Sequence, residues 1–590
     1  MEEVKQRRHQ NLIQGSMILG VATLLVKIIG AVYKIPLGWI LGGVGSGYFS
    51  VAYDVYLPIY TLAMSGLPVA VSRMVAESVS ENRFKDARNL LKLAKKVFAV
   101  TGVVCFAIMM IAVPLYVNKV GDSGDMLPML VISPSIIFCC IMSTYRGYYE
   151  GLRNMFPTGI SQVIEALGKL LIGLAIALAV KVALASEFAS NGTIMGKLIQ
   201  PDGSAATLEK VAEKAMMPYV AAAAILGITL GSAFGALFLV IRHKRVGDKF
   251  TEVELALSPE PRSNRVMLKA LVTIAVPIVL GSMVSQVASL VDLVIVKAQL
   301  KSVVASGSQL VRESYGNILG NYTDGDLPNF LYGCYRNYAY SLSNLAPTVT
   351  TVIGVSAIPV LATAWSAHDR TGVKENMELS IRLSSIIAFP AGLGLFALAQ
   401  PILSLLYPTQ LEEVTVAAPV LQILGLASIF MSINVPVTSM LQAIGKQNIP
   451  VYNMLIGVIL KVGINYALVG IPSINVVGAP VGTAVCYGFI LIANLIALAK
   501  HAKVGLNIVS TIIKPLIAGG LCAASAYGVY RLMSHLRGTG SLTTLSAGGW
   551  GGGVYVLAIG FLKVLGRNDV LMLPKGQKIA KILEKIGWIE

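Results

Sequence analysis

Residues 414–445 read VTVAAPVLQILGLASIFMSINVPVTSMLQAIG. No Asp, Glu, Lys or Arg interrupts the run. It exceeds the roughly 20 apolar residues that an α-helix needs to cross a bilayer. Residues 337–367 form a second run free of those four residue types. Both runs are continuous and do not alternate, so they are helical spans and not strands of a membrane barrel.

The rest of the chain follows the same pattern. Its 590 residues are 55% hydrophobic and 13% charged, with a mean hydropathy of +0.72. A soluble chain is about 25% charged, so soluble and disordered classes are both excluded. The expectation is an all-α integral membrane protein with fourteen spans. They lie near 12–33, 48–72, 97–117, 126–146, 157–181, 216–241, 270–296, 337–365, 383–406, 414–441, 450–470, 476–499, 508–530 and 544–562. The positively charged N-terminus has no small-residue cleavage site and reads as a retained first helix.

An even number of spans puts both termini on one side. With that side inside, about two thirds of the 47 lysines and arginines fall in inner tails and loops and about a quarter in outer ones. The chain is therefore expected to be multi-pass in a plasma membrane with both termini cytoplasmic. The net charge of +17 is assigned to topology and anionic lipid, and no nucleic-acid partner is expected. Long outer loops are expected near 182–215 and 297–336. The Gly42–Gly47 stretch reads as a flexible outer connection. Residues 84–98 and the tail around Lys578–Trp588 read as amphipathic segments lying on lipid.

Four matches recur in order, each about 290 residues apart, as expected for an internal duplication. Ser65-Gly66-Leu67-Pro68-Val69 matches Ser356-Ala357-Ile358-Pro359-Val360. Arg153 to Pro157 matches Lys446 to Pro450, Pro114 matches Pro401, and Lys169 matches Lys461. Six spans per repeat give two parallel six-helix lobes plus two extra C-terminal helices. The expected divisions are 1–245, 246–503, 504–565 and a cytoplasmic tail at 566–590.

A charge inside a span costs about 2.5–3.5 kcal/mol and marks function by default. Lys27 lies about 15 residues into the first span, roughly 22 Å from its inner end. Lys34 follows on the same helical face, either facing an anionic ligand with Lys27 or snorkelling to the outer interface. Asp292 and Asp54 are candidates for ion coupling, charge balance or pairing with Lys27. Glu165 and Lys169, spaced i,i+4, read as an intrahelical pair. Lys461 lacks a partner in its own helix, and Arg336 opens the eighth span from outside, so both are candidates for ligand capture.

Five of the six cysteines fall in apolar runs and the histidines show no metal spacing. No metal site and no cofactor are expected. No HExxH, Gly-x-Ser-x-Gly or Walker motif occurs, so the reading is a transporter and not an enzyme. Its energy source would be the membrane potential or a cation gradient.

The run Leu25-Val26-Lys27-Ile28-Ile29-Gly30-Ala31-Val32-Tyr33-Lys34-Ile35-Pro36-Leu37 resembles the multidrug/oligosaccharidyl-lipid/polysaccharide (MOP) exporters, in the branch of the lipid II flippases and stage V sporulation protein B. Ser289-Leu290-Val291-Asp292 is similar to that branch too. The resemblance spans about residues 10 to 565. It implies that spans one, two, seven and eight line a cationic cavity in which Lys27 is one of the cations. It also implies that spans thirteen and fourteen hold a polyprenyl tail. Unlike the Gram-negative flippases, this chain has no arginine between Tyr48 and Ser72. The function expected from the resemblance is export of undecaprenyl-diphosphate-linked sugars, lipid II foremost, by a monomer whose partners are that substrate and membrane lipids. The alternatives are another polysaccharide unit or a cation-coupled drug antiporter.

Overall fold

The computed structural model describes residues 12–202, 206–316 and 318–567, and residues 570, 577, 581, 584 and 588 beyond them. The amphipathic tail and the charged N-terminus lie largely outside those residues. Among the described residues the chain is all-helical apart from one two-stranded hairpin.

The elements run α1 (Leu12–Met64), α2 (Leu67–Ser80), α3 (Phe84–Lys119), α4 (Ser123–Ile132), α5 (Ser135–Gly151), α6 (Phe156–Leu167), a π-helical turn (Gly168–Ile172) and α7 (Gly173–Asn191). The hairpin β1 (Thr193–Ile194) and β2 (Lys197–Leu198) follows. Next come α8 (Leu208–Val246), α9 (Glu252–Leu257), α10 (Asn264–Glu313), α11 (Leu327–Gly333) and a π-helical segment Cys334–Tyr340. The remainder is α12 (Leu345–Ser366), α13 (Arg370–Ala397), α14 (Ala399–Leu406), α15 (Leu411–Ala443), α16 (Asn448–Val469), α17 (Gly478–Ala502), α18 (Lys514–Arg537) and α19 (Ser541–Phe561).

Among the described residues, 12 helical stretches are long and apolar enough to cross a membrane, where the sequence suggested fourteen. Two differences account for the number. The first two runs join into one stretch, Leu19–Ser80, and the last, within α19, falls outside the 12. Its glycine cluster from Gly548 to Gly553 dilutes the hydropathy.

The junction of the first two runs is not a flexible loop. Helix continues through it except at Gly42, which takes φ 58° and ψ −169°. A side chain there would be strained. The next glycines serve close packing: a Cβ on Gly47 would collide with the Asn329 carbonyl, and one on Gly333 with the Gly43 carbonyl. α11 therefore lies directly on α1.

The expected outer loops are also largely folded. α7 runs to Asn191, and Glu187 at its end ties down the hairpin. Its carboxylate accepts from Thr193 Oγ1 at 3.0 Å and from the Gly196 and Met195 amides at 2.8 and 3.2 Å. Lys214 of α8 holds the later segment by bonding the Asn321 carbonyl at 3.0 Å and Asp326 at 3.2 Å. Cys334 is buried in helix, not in a loop, and all six cysteines are free thiols. The 84–98 stripe is core and not a lipid-facing surface: Phe84, Ala87, Leu91, Ala94 and Phe98 are all buried.

The chain divides into two compact units. The first holds residues up to Ala298 plus Gly320–Gly333, and the second Gln299–Leu319 plus Cys334 onward. Most of α10 packs into the first unit, as at Gly66, where a Cβ would strike the Ala275 carbonyl.

Candidate functional site

The interior of the first unit is set by a glycine crossing. Gly227, Gly231 and Gly235 recur every fourth residue and line one face of α8. A Cβ on Gly231 would sit 2.7 Å from the Glu165 carbonyl, and one on Gly168 would sit 2.7 Å from the Gly231 Cα. α8 therefore touches α6 and the π-turn backbone to backbone. That contact fixes the stretch carrying Glu165 and Lys169.

These two residues do not pair. Glu165 bonds Arg146 of α5 at 3.0 Å. The wider π-turn, starting at Gly168, breaks the i,i+4 register between them. Lys169 instead places Nζ 5.0 Å from the Tyr33 ring centre and 5.1 Å from that of Tyr53. Among the described residues it has no carboxylate partner. Tyr33, Phe49 and Tyr53 form a row with centroids 6.3 and 6.4 Å apart. Lys34 lies over the middle ring, at 5.0 Å from Phe49. Two lysines, from α1 and from the turn after α6, thus share one aromatic row. Tyr56 and Tyr60 extend it, with successive centroids 6.2 and 5.4 Å apart.

Lys27 is half-buried on α1 and, among the described residues, pairs with neither Asp54 nor Asp292. Close to it in sequence is an apolar cavity of about 480 Å³ between α1 and α6, lined by Val21, Ala22, Leu25, Phe156, Gly159, Ile160, Val163 and Ile164. Asp54 is buried and accepts from the Tyr332 hydroxyl at 2.6 Å. Asp292 is buried on α10.

The sequence reading missed the most enclosed cation. It assigned Lys297 to an outer loop, but Lys297 is fully buried on α10. It pairs with Asp122 at 3.3 Å and Asp125 at 3.9 Å, and bonds the Asn329 side-chain oxygen. Asn329 in turn donates to Asp122 at 2.6 Å. Asp122 and Asp125 form the capping box of α4, which fixes both carboxylates at its N-terminus.

Arg336 and Lys461 belong to the second unit. Arg336 stacks on Tyr340 with its guanidinium 4.4 Å from the ring centre, inside the π-helical segment. Lys461 is half-buried on α16. Among the described residues no group of His, Cys, Asp and Glu could hold a metal ion.

Comparison with known proteins gives concordant results. The family model described as "Polysaccharide biosynthesis protein" matches residues 12–200, and "Lipid II flippase MurJ" matches residues 335–548. The chain is 23% identical to the lipid II flippase MurJ of Bacillus subtilis over 96% of its own length and 99% of that protein. It is 20% identical to stage V sporulation protein B of the same organism, over 82% and 83% of the two chains. A solved structure of lipid II flippase MurJ in an inward closed conformation superposes with a TM-score of 0.61 at 13% identity, covering 92% of this chain and 98% of that one. The chain is thus similar, over separate stretches, to the polysaccharide biosynthesis and lipid II flippase families, and it shares the fold of the latter.

Proposed function

We propose that this chain exports undecaprenyl-diphosphate-linked sugar precursors across the bacterial plasma membrane by alternating access, with lipid II as the foremost substrate. The observation that carries this reading is Lys169. It is a cation inside a membrane unit, held against two tyrosine rings while the nearby carboxylate, Glu165, is bound to Arg146. With Lys34 on the same aromatic row and Lys27 making no ion pair among the described residues, this side of α1 offers positive charge to a ligand. A diphosphate supplies the complementary anion. The apolar cavity beside Leu25 offers non-polar surface of the kind a prenyl tail requires. Arg336 and Lys461 are assigned to ligand capture, and Asp54 and Asp292 to charge balance or ion coupling.

With the termini cytoplasmic, the membrane potential favours this direction. An inside-negative potential of 100 mV drives an anion outward by about 2.3 kcal/mol per charge. No cofactor is needed. The match of residues 12–200 to the polysaccharide biosynthesis family favours a second reading, in which the cargo is another lipid-linked polysaccharide unit.

The test is growth of a bacterium depleted of its own lipid II flippase and expressing this chain, its Lys27→Ala form or its Lys169→Gln form. Rescue is expected from the wild type alone, with all three proteins present in the membrane at equal amounts. Full rescue by Lys169→Gln would remove the diphosphate role from the aromatic row. Failure of the wild type would move the reading to the other polysaccharide unit.

A further inference from the structure

One end of the first unit collects basic side chains that lie against rings. His243, in the last turn of α8, is walled by Tyr145, Tyr148 and Tyr149, with centroids 5.3, 6.0 and 6.0 Å away. All three tyrosines are buried. The Tyr149 hydroxyl lies 3.2 Å from His243 Nδ1. Arg242 lays its guanidinium over Tyr149 at 5.1 Å, and Lys95 of α3 lays its ammonium over Tyr145 at 4.9 Å.

The carboxylate beside them is already engaged. Asp248 accepts from Arg88 at 2.7 and 2.9 Å and from the Tyr148 hydroxyl at 3.1 Å. Among the described residues neither Arg242 nor Lys95 makes an ion pair, and Arg242 Nη1 is enclosed without a hydrogen bond. The C-terminal dipole of α8 offsets only about half a charge. A cationic pocket with an aromatic floor therefore remains uncompensated. Its chemistry is that of a phosphate site: a planar guanidinium that presents paired donors and an ammonium as point charge.

We propose that this cluster binds a phosphate group, with Arg242 and Lys95 as its charged contacts, and that a phospholipid headgroup carries that phosphate. The exposed apolar side chains of the connection that leaves α8 favour a lipid over a soluble ester. Val253 and Leu257, one turn apart on α9, are 67% and 81% exposed in the connection that leaves α8.

The test uses the purified full chain in neutral detergent, with thermal unfolding followed while short-chain phosphatidylglycerol, short-chain phosphatidylcholine or inorganic phosphate is added. Binding read this way is independent of whether the chain transports. Phosphatidylglycerol is expected to raise the Tm by several degrees and phosphatidylcholine to do much less. Arg242→Gln should cut the apparent affinity about tenfold or more. Exposed Lys95→Gln, which leaves the packing intact, should cut it several-fold, and Lys500→Gln, an exposed cation of the second unit, should not change it. A shift with inorganic phosphate alone, lost in Lys95→Gln, supports the site with a soluble phosphate as ligand. Equal response to both lipids, no response to any addition, or equal loss in Lys500→Gln would overturn it.

Discussion

Replacing Lys297 with Met tests whether the buried charge cluster of the first unit is held by that one cation. The lysine lies 3.3 Å from Asp122 and 3.9 Å from Asp125. At an effective dielectric of about 20, these contacts are worth roughly 5 and 4 kcal/mol of gross attraction. Desolvation of the fully buried ammonium and of Asp125 offsets much of that, so the intact cluster contributes little net stability. Removal is a different matter. Without the lysine, the fully buried Asp125 and Asp122 beside it lose the cation buried between them, and the expected loss is about 3–5 kcal/mol. The assay is unfolding of the purified chain by SDS titration in mixed micelles. Lys297→Met should be strongly destabilised. Asp125→Asn added to it should recover part of the loss, because it removes the stranded charge. A double-mutant cycle should therefore show a coupling of about 1–3 kcal/mol. A loss below about 1 kcal/mol for Lys297→Met, or strictly additive effects with Asp125→Asn, would refute the reasoning.

Two further outcomes follow from the same geometry. Gly231→Ala forces a Cβ to 2.7 Å from the Glu165 carbonyl and must part α6 from α8, at a cost of about 1–3 kcal/mol in the same titration; Gly20→Ala, with nothing within 4 Å, should be neutral or slightly stabilising. Burial works against the Asp248 carboxylate, but Arg88, the Phe250 amide and Tyr148 hold it below its ordinary value. A depressed folded-state value gives stability that is present above the unfolded value and lost as the pH falls through the folded one. Asp248→Asn should therefore flatten the stability profile on the acid side, below about pH 4.

The spans were legible because a bilayer forces apolar length onto the sequence, and 414–445 needs no other argument. The functional interior was legible only in part. Lys27 and Lys34 stood out as charges in apolar runs; Lys27 is half-buried on α1, and Lys34 lies over the Phe49 ring. Lys169 also stood out, but its expected pairing with Glu165 assumed a regular helix. The π-turn at Gly168–Ile172 has no clear signature beyond its two flanking glycines, Gly168 and Gly173. The Gly227, Gly231 and Gly235 spacing was a readable sign of close helix contact, and it explains why the turn is held where it is. Lys297 was obscured by position. It sits at the end of an apolar run, where a lysine normally marks topology. Its partners, Asp122 and Asp125, are far away in sequence. The Asp-x-x-Asp spacing of the α4 capping box was the available clue. The 84–98 stripe shows the converse limit, since an amphipathic pattern states that a face is covered without stating by what.

Energetics separates Lys297 and Lys169 by role. Lys297 has two carboxylates and an amide, so its charge is met within the fold and its removal damages the fold. Lys169 has two rings, each contact worth about 0.5–2 kcal/mol depending on desolvation. Together they give about 1–4 kcal/mol, which matches the roughly 2.5–3.5 kcal/mol that a lysine costs in the middle of a span only when both contacts are fully desolvated. A neutral residue of similar length would serve the fold at least as well. Stability alone does not account for a lysine there, and an anionic ligand would. The rings suit that task because they hold the ammonium in place without neutralising it, leaving its field directed at whatever enters. A carboxylate in the same place would fix Lys169 more firmly and cancel the charge that a diphosphate needs.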